Sequence, residues 1–274
     1  MTEHRFETDR PVHLYAELGK GSVTVTAAPT SQSHVILAGP DADSVVVTQD
    51  GDQISVVAPR QRTGFFGGES ELDVTITVPE HSDLRIRTGS ADIDARGPMA
   101  GCVLKSGSGD IAVERCGGPS QVETGSGDIS IGVAGAELRI KSGSGDVRIA
   151  HAESASSVST GSGDVSYETA GGPASVKTGS GDLTVDEARD DLALSTASGD
   201  LLVSTARRGR LTAKGASGDI VIGIPAGVPV WTDISTLSGD IRSTLAGAGQ
   251  PAEGADHVEV RAKTVSGDIV LRQV

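Results

Sequence analysis

Ten copies of one short phrase, Ser-Gly-Asp or its variant Ser-Ala-Asp, run from Ser90 to Asp268. The aspartates Asp92, Asp110, Asp128, Asp146, Asp164, Asp182 and Asp200 stand a constant 18 residues apart; Asp219, Asp240 and Asp268 follow at longer intervals. A fixed period of this size, built from short apolar segments and Gly-rich turns, points to stacked coils. One coil cannot bury its own apolar face, so its neighbours must do it. The residue after each aspartate is apolar (Ile93, Ile111, Ile129, Val147, Val165), and the third is usually apolar too (Val113, Ile131, Ile149, Tyr167, Val185). The twelfth is apolar again, from Leu104 and Val122 to Val176 and Leu194. Spacing of two within a segment means a strand with one face inward. Two or three short strands fit each coil. The fold expectation is therefore all-β: a single-stranded β-solenoid with about 18 residues per coil.

Residues 1–85 carry a different β pattern, without the phrase. Val23-Thr-Val25, Val35-Ile-Leu37, Val45-Val-Val47, Ile54-Ser-Val56 and Val74-Thr-Ile76-Thr-Val78 are separated by turn clusters such as Gly39-Pro40-Asp41 and Asp50-Gly51-Asp52. They read as strands joined by hairpin-like connections, forming an irregular β N-terminal cap or an irregular first part of the solenoid. Residues 86–274 then form the solenoid of Ser-Gly-Asp repeats. Gly64-Phe-Phe-Gly-Gly68 reads as a mobile loop, and about Ala246 to Asp256 as a surface loop rich in Gly, Ala and Pro. The segment Asp268 to Val274 reads as a closing strand at an open edge, where Arg272 would discourage end-to-end stacking.

Composition narrows the function. A formal charge of −14 leaves no basic stripe to release phosphate counterions, so nucleic acid is not an expected partner. With one Trp, two Tyr and three Phe, the chain lacks stacking platforms, while a narrow coil interior needs only aliphatic side chains. No window is long and apolar enough for a membrane span, and Met1 to Pro11 contains no signal-peptide core. The expected location is the cytoplasm, where two cysteines act as small hydrophobes. Cys116 shares its slot with Ala134, Ala152, Ala170, Ala188 and Ala206, which reads as a small, inward-facing corner.

Stacking places the aspartates in one column, where neighbours about 4.8 Å apart repel by roughly 0.9 kcal/mol in water. One offset is local, with Ser and Asp accepting hydrogen bonds from turn amides and Gly permitting positive φ just before Asp. The competing reading is a cation column through Asp110, Asp128, Asp146 and Asp164, although one carboxylate and one serine per coil fall short of six to eight oxygens. Thr124, Thr160, Thr178 and Thr196 share parity with the inward twelfth position, which directs them inward; an outward arrangement would make a flat hydroxyl array for ice or sugar. Polysaccharide-active β-helix enzymes need paired carboxylates and aromatic platforms, whereas Trp231 is the single tryptophan and His151 sits in a solvated loop. No catalytic, cofactor-binding or metal residue is assigned.

Thr-Gly-Ser-Gly-Asp followed by Ile/Val-x-Val at this interval resembles a bacterial family of β-strand-repeat proteins, a domain of unknown function often labelled "putative adhesins". Val74 to Pro79 running into Leu84 to Ser90 is similar to that family's entry into its repeats, and Ile224 to Pro229 and Thr264 to Asp268 to its closing coils. The resemblance implies a repeat scaffold and brings no catalytic residues. The functional expectation is a non-catalytic scaffold or protein-interaction module, with a protein partner or self-association. The alternative is a cell-surface adhesin or carbohydrate-binding protein; a cation-binding repeat protein or a polysaccharide-active enzyme ranks below both.

Overall fold

The computed structural model describes residues 1–59, 71–246 and 256–274. The readings placed on Gly64 to Gly68, and on most of Ala246 to Asp256, lie outside the described residues. The described chain is all-β, with one short 3-10 turn at Ala42–Ser44 and no α-helix among the described residues. It divides into two compact units, residues 1–137 and 138–274.

In the first unit the repeats build two parallel sheets. Asp92–Met99, Ile111–Cys116 and Ile129–Ala134 lie side by side in one; Asp83–Thr88, Cys102–Ser106 and Ser120–Thr124 do so in the other. Register follows the repeat: Ile111 faces Ile93 on one side and Ile129 on the other, and Leu104 faces Ile86 and Val122. These apolar residues are buried, and the alternate ones point out. Each fully buried Ile or Leu contributes about 2 kcal/mol, and a register slip of one would turn the whole row to solvent.

The region before residue 85 departs from a run of hairpins. His13–Leu18 pairs in parallel with both Asp83–Thr88 and Gln53–Val57, and Gly21–Ala28 does the same with Asp92–Met99 and Leu72–Pro79. Among the described residues antiparallel pairing is confined to Thr2–Glu7 with Gln32–Ala38, Gln32–Ala38 with Leu72–Pro79, and the Val46–Asp50 to Gln53–Val57 hairpin turned at Gly51 (φ 60°).

Among the described residues the paired strands of the second unit are all parallel, and Val147, Val165, Leu183 and Leu201 form one inward row. Chain order breaks at its end. Val258–Ser266 lies between Gly209–Lys214 and Val230–Ser238, while Ile269–Gln273 lies between Ile220–Ile224 and Ile241–Ser243. The expectation that the segment after Asp268 forms the open edge is thus corrected: Arg272 faces Gly223 inside the sheet, and residues 230–243 form the outermost coil. The inward positions give the reason. Val260 and Leu271 are buried aliphatics, whereas residues 230–243 offer Thr232 and Ser243 at the matching positions; Val230, Ile234, Thr236 and Ile241 match Val258, Ala262, Thr264 and Ile269 in kind. The more apolar coil takes the covered place.

Candidate functional site

The aspartate column is a hydrogen-bonded ladder that runs between coils, not within turns. In the first unit the Asp110 amide donates to Asp92 Oδ1 at 2.9 Å and the Asp128 amide to Asp110 Oδ1 at 2.8 Å. In the second, Asp164 donates to Asp146 Oδ1 (3.0 Å), Asp182 to Asp164 (2.8 Å), Asp200 to Asp182 (2.7 Å) and Asp219 to Asp200 (2.8 Å). Asp268 then donates to Asp219 and Asp240 to Asp268, each at 2.8 Å, so the ladder follows spatial order where the chain does not. Each accepting carboxylate offsets the repulsion of its neighbours by taking a charge-assisted bond, while Asp240 at the end of the ladder is met by Arg242 at 2.7 Å.

The turn's own amide is satisfied from inside. The buried hydroxyls of Ser106, Thr124, Ser142 and Thr160 accept from the amides of Gly109, Gly127, Gly145 and Gly163 at 2.8 to 3.1 Å. The inward reading of this row holds, and the outward hydroxyl array does not form. Thr196 breaks the series. There the Gly199 amide turns to the Ser217 carbonyl, leaving Thr196 Oγ1 buried without a hydrogen-bond partner.

The glycine before Asp is fixed mainly by close approach. A Cβ at Gly163 would fall far inside van der Waals contact of the Gly145 carbonyl oxygen, and the same holds for Gly181 over Gly163. Positive φ, the reason expected from sequence, applies to this slot only at Gly218 (132°), Gly239 (154°) and Gly267 (142°) among the described residues.

Neither thiol is a nucleophile in waiting. Cys102 and Cys116 are free and buried, and burial pushes both thiols up from their ordinary value. Cys116 faces Ala134 in the inward corner row. His151 is exposed, with Nε2 4.0 Å from Glu168 Oε2. Among the described residues no group of three His, Cys, Asp or Glu side chains is placed to hold a metal ion. In the ladder, Oδ1 of each accepting carboxylate is already committed to an amide.

One concavity has chemistry that sequence reasoning missed. On the outer sheet face of the first unit, His13, Tyr15, Gln53, Asp83, Arg85 and Pro119 line a space of about 430 Å³. Parallel pairing sets His13 opposite Asp83 and Tyr15 opposite Arg85. Asp83 is held by the Gly101 amide on Oδ1 (2.9 Å) and faces His13 Nδ1 with Oδ2 (3.1 Å); Tyr15 donates to Glu17 Oε2 at 2.7 Å. These groups offer donors, an acceptor and the two rings of His13 and Tyr15, an arrangement suited to a small polar ligand.

The Toastrack DUF4097 family profile matches residues 14–207 and again residues 170–272. No curated protein matches the sequence. Three solved structures share similarity across the whole chain. A "putative lipid binding protein" of Parabacteroides distasonis is 14% identical, with 96% of its own chain covered and a TM-score of 0.46. A "putative adhesin" of Bacteroides fragilis is 11% identical (96% covered, TM-score 0.38), and a "putative cell adhesion protein" of Clostridium sporogenes is 9% identical (99% covered, TM-score 0.27).

Proposed function

The chain belongs to the Toastrack DUF4097 family, and on that premise we propose that it is a non-catalytic β-solenoid scaffold, with coils of about 18 residues presenting repeated side-chain rows to a protein partner. In this reading residues 1–85 are the irregular first part and residues 86–274 the repeat array. The observation that carries it is an exposed outward row in the second unit. Lys141, Ser159, Lys177, Ser195, Lys214 and Lys263 follow one another across paired strands on a protein of net charge −14. Ammonium and hydroxyl groups repeated at the strand spacing of about 4.8 Å suit an extended acidic partner that engages several coils together. Free buried thiols support a reducing, cytoplasmic setting.

Affinity purification from the source cells with the wild type and a Lys177→Glu/Lys214→Glu variant tests this. A partner kept by the first and lost by the second supports the scaffold; no difference between them, or turnover of an offered polysaccharide, overturns it. The concavity at His13, Tyr15 and Arg85 favours a second reading, a carbohydrate-binding adhesin. Glycan-array binding abolished by Arg85→Ala, together with recovery of the protein outside the membrane, would select it.

A further inference from the structure

We infer that the outermost coil of the second unit, residues 230–243, is a self-association surface that pairs with the same coil of a second copy about a two-fold axis. Trp231, Leu237 and Ile241 are 60%, 84% and 47% exposed there, three of the large apolar side chains left in solvent among the described residues. Among the described residues Val230–Ser238 is an edge strand, with Val258–Ser266 on one side and no paired strand on the other. An apolar, unpaired edge is a template for strand addition.

The backbone fixes which register is available. The Val258 amide donates to the Pro229 carbonyl at 3.0 Å, so odd-numbered residues of this strand aim their amides and carbonyls at the neighbouring strand. Val230, Thr232, Ile234 and Thr236 aim theirs outward. A second copy running antiparallel must match these outward residues to each other, which places the two-fold on Thr232, Ile234 or Thr236. Centred on Ile234, the strand is self-complementary. Trp231 stands opposite Leu237 of the partner subunit, and Asp233 opposite Ser235 of the partner subunit. These two rows are the closer, non-hydrogen-bonded pairs, where cross-strand side chains touch. Centring on Thr232 would oppose Trp231 with an aspartate, and centring on Thr236 would oppose Leu237 with a serine.

The size is adequate. A strand of nine residues spans roughly 30 Å, and two sheets about 10 Å apart with their side chains give an end face of roughly 600 Å². Two copies then bury about 1,200 Å², the lower end of a specific interface. This dimer involves only the end coil, so it stands or falls apart from the partner reading above.

Trp231 is the single tryptophan and reports directly on this face. The test measures mass by light scattering and tryptophan emission on the full chain across a dilution series. Expected is a rise from the 27.7 kDa chain to twice that mass, with a blue shift of emission over the same concentrations. Leu237→Lys, at a site 84% exposed, should keep the strand circular dichroism, stay monomeric and hold the red-shifted emission. Thr232→Pro, which removes one outward amide, should weaken the dimer as well. A wild type that stays monomeric at high concentration overturns the inference. So does a dimer without an emission shift, a dimer that survives Leu237→Lys, or growth into open-ended polymers.

Discussion

Asp164 offers the sharpest test of the ladder. Its amide donates to Asp146 Oδ1 at 3.0 Å, and its own Oδ1 accepts the Asp182 amide at 2.8 Å. A hydrogen bond to a charged acceptor contributes about 1.5–3 kcal/mol, and at this exposed corner the lower part of that range applies, about 2 kcal/mol. Against it stand two like charges about 4.8 Å away. Each costs roughly 0.9 kcal/mol in water and about 0.5 kcal/mol after screening at physiological salt, or about 1 kcal/mol for the pair. Asp164→Asn keeps the Oδ1 acceptor, loses the charge assistance of about 1 kcal/mol and removes the repulsion. Its stability should lie within about 0.5 kcal/mol of wild type. Asp164→Ala loses the bond and gains only the same relief, for a net loss of about 1 kcal/mol. Urea unfolding of the three proteins at physiological and low salt reads both values, and Asn should look better at low salt. An Asn variant as damaged as the Ala variant, or a harmless Ala variant, would refute the ladder argument. A calcium-dependent rise in melting temperature that disappears in Asp164→Asn would replace it with a cation column.

Gly163→Ala should cost roughly 3 kcal/mol by driving a methyl into the Gly145 carbonyl, whereas Gly19→Ala, with open space around its Cβ position, should be nearly neutral in the same melts. Thr196→Val removes the orphaned hydroxyl at constant shape and should stabilise by about 1 kcal/mol in urea unfolding. Tyr167 is buried against Ser156 Oγ (3.1 Å), and burial pushes its phenol up to about 12. Since the unfolded value is near 10, its contribution is complete below pH 10 and is lost as pH rises through the folded value. Stability should therefore fall by about 1.4 kcal/mol per pH unit between about pH 10 and 12, a slope that Tyr167→Phe should abolish relative to wild type.

The parallel sheets and their inward rows were legible because the period is carried by every coil: Ile111, Ile129, Val147 and Val165 repeat one slot, and period two separates inside from outside. The Ser/Thr row was legible for the same reason. Three things were not. The partner of each aspartate lies one coil away, and no spacing distinguishes an amide in its own turn from one in the next. The glycine before Asp reads as a dihedral requirement, but contact with a carbonyl across the stack leaves no mark on local sequence. The groove at His13 and Asp83 joins strands about 70 residues apart in sequence, whose parallel pairing was hidden behind turn clusters that look like hairpins. A signal existed, since His13 and Tyr15 alternate with Leu14 and Ala16 as Asp83 and Arg85 alternate with Leu84 and Ile86.

The displaced order of the last coils has a kinetic side. During synthesis, residues 230–243 emerge before residues 258–273, and they carry the same Ser-Gly-Asp corner. At that moment the face of Gly209–Lys214 and Ile220–Ile224 is uncovered, so Asp240 can stack on Asp219 in the seat that Asp268 holds at the end. Finishing the molecule then requires the newcomer to evict an occupant with the same corner chemistry. The energy difference comes from exchanging Thr232 and Ser243 for Val260 and Leu271 at matching positions. Refolding of the whole chain should accordingly show a slow final phase absent from a version ending after Ser243, and substitutions that make residues 230–243 greasier on the inward side should lengthen it.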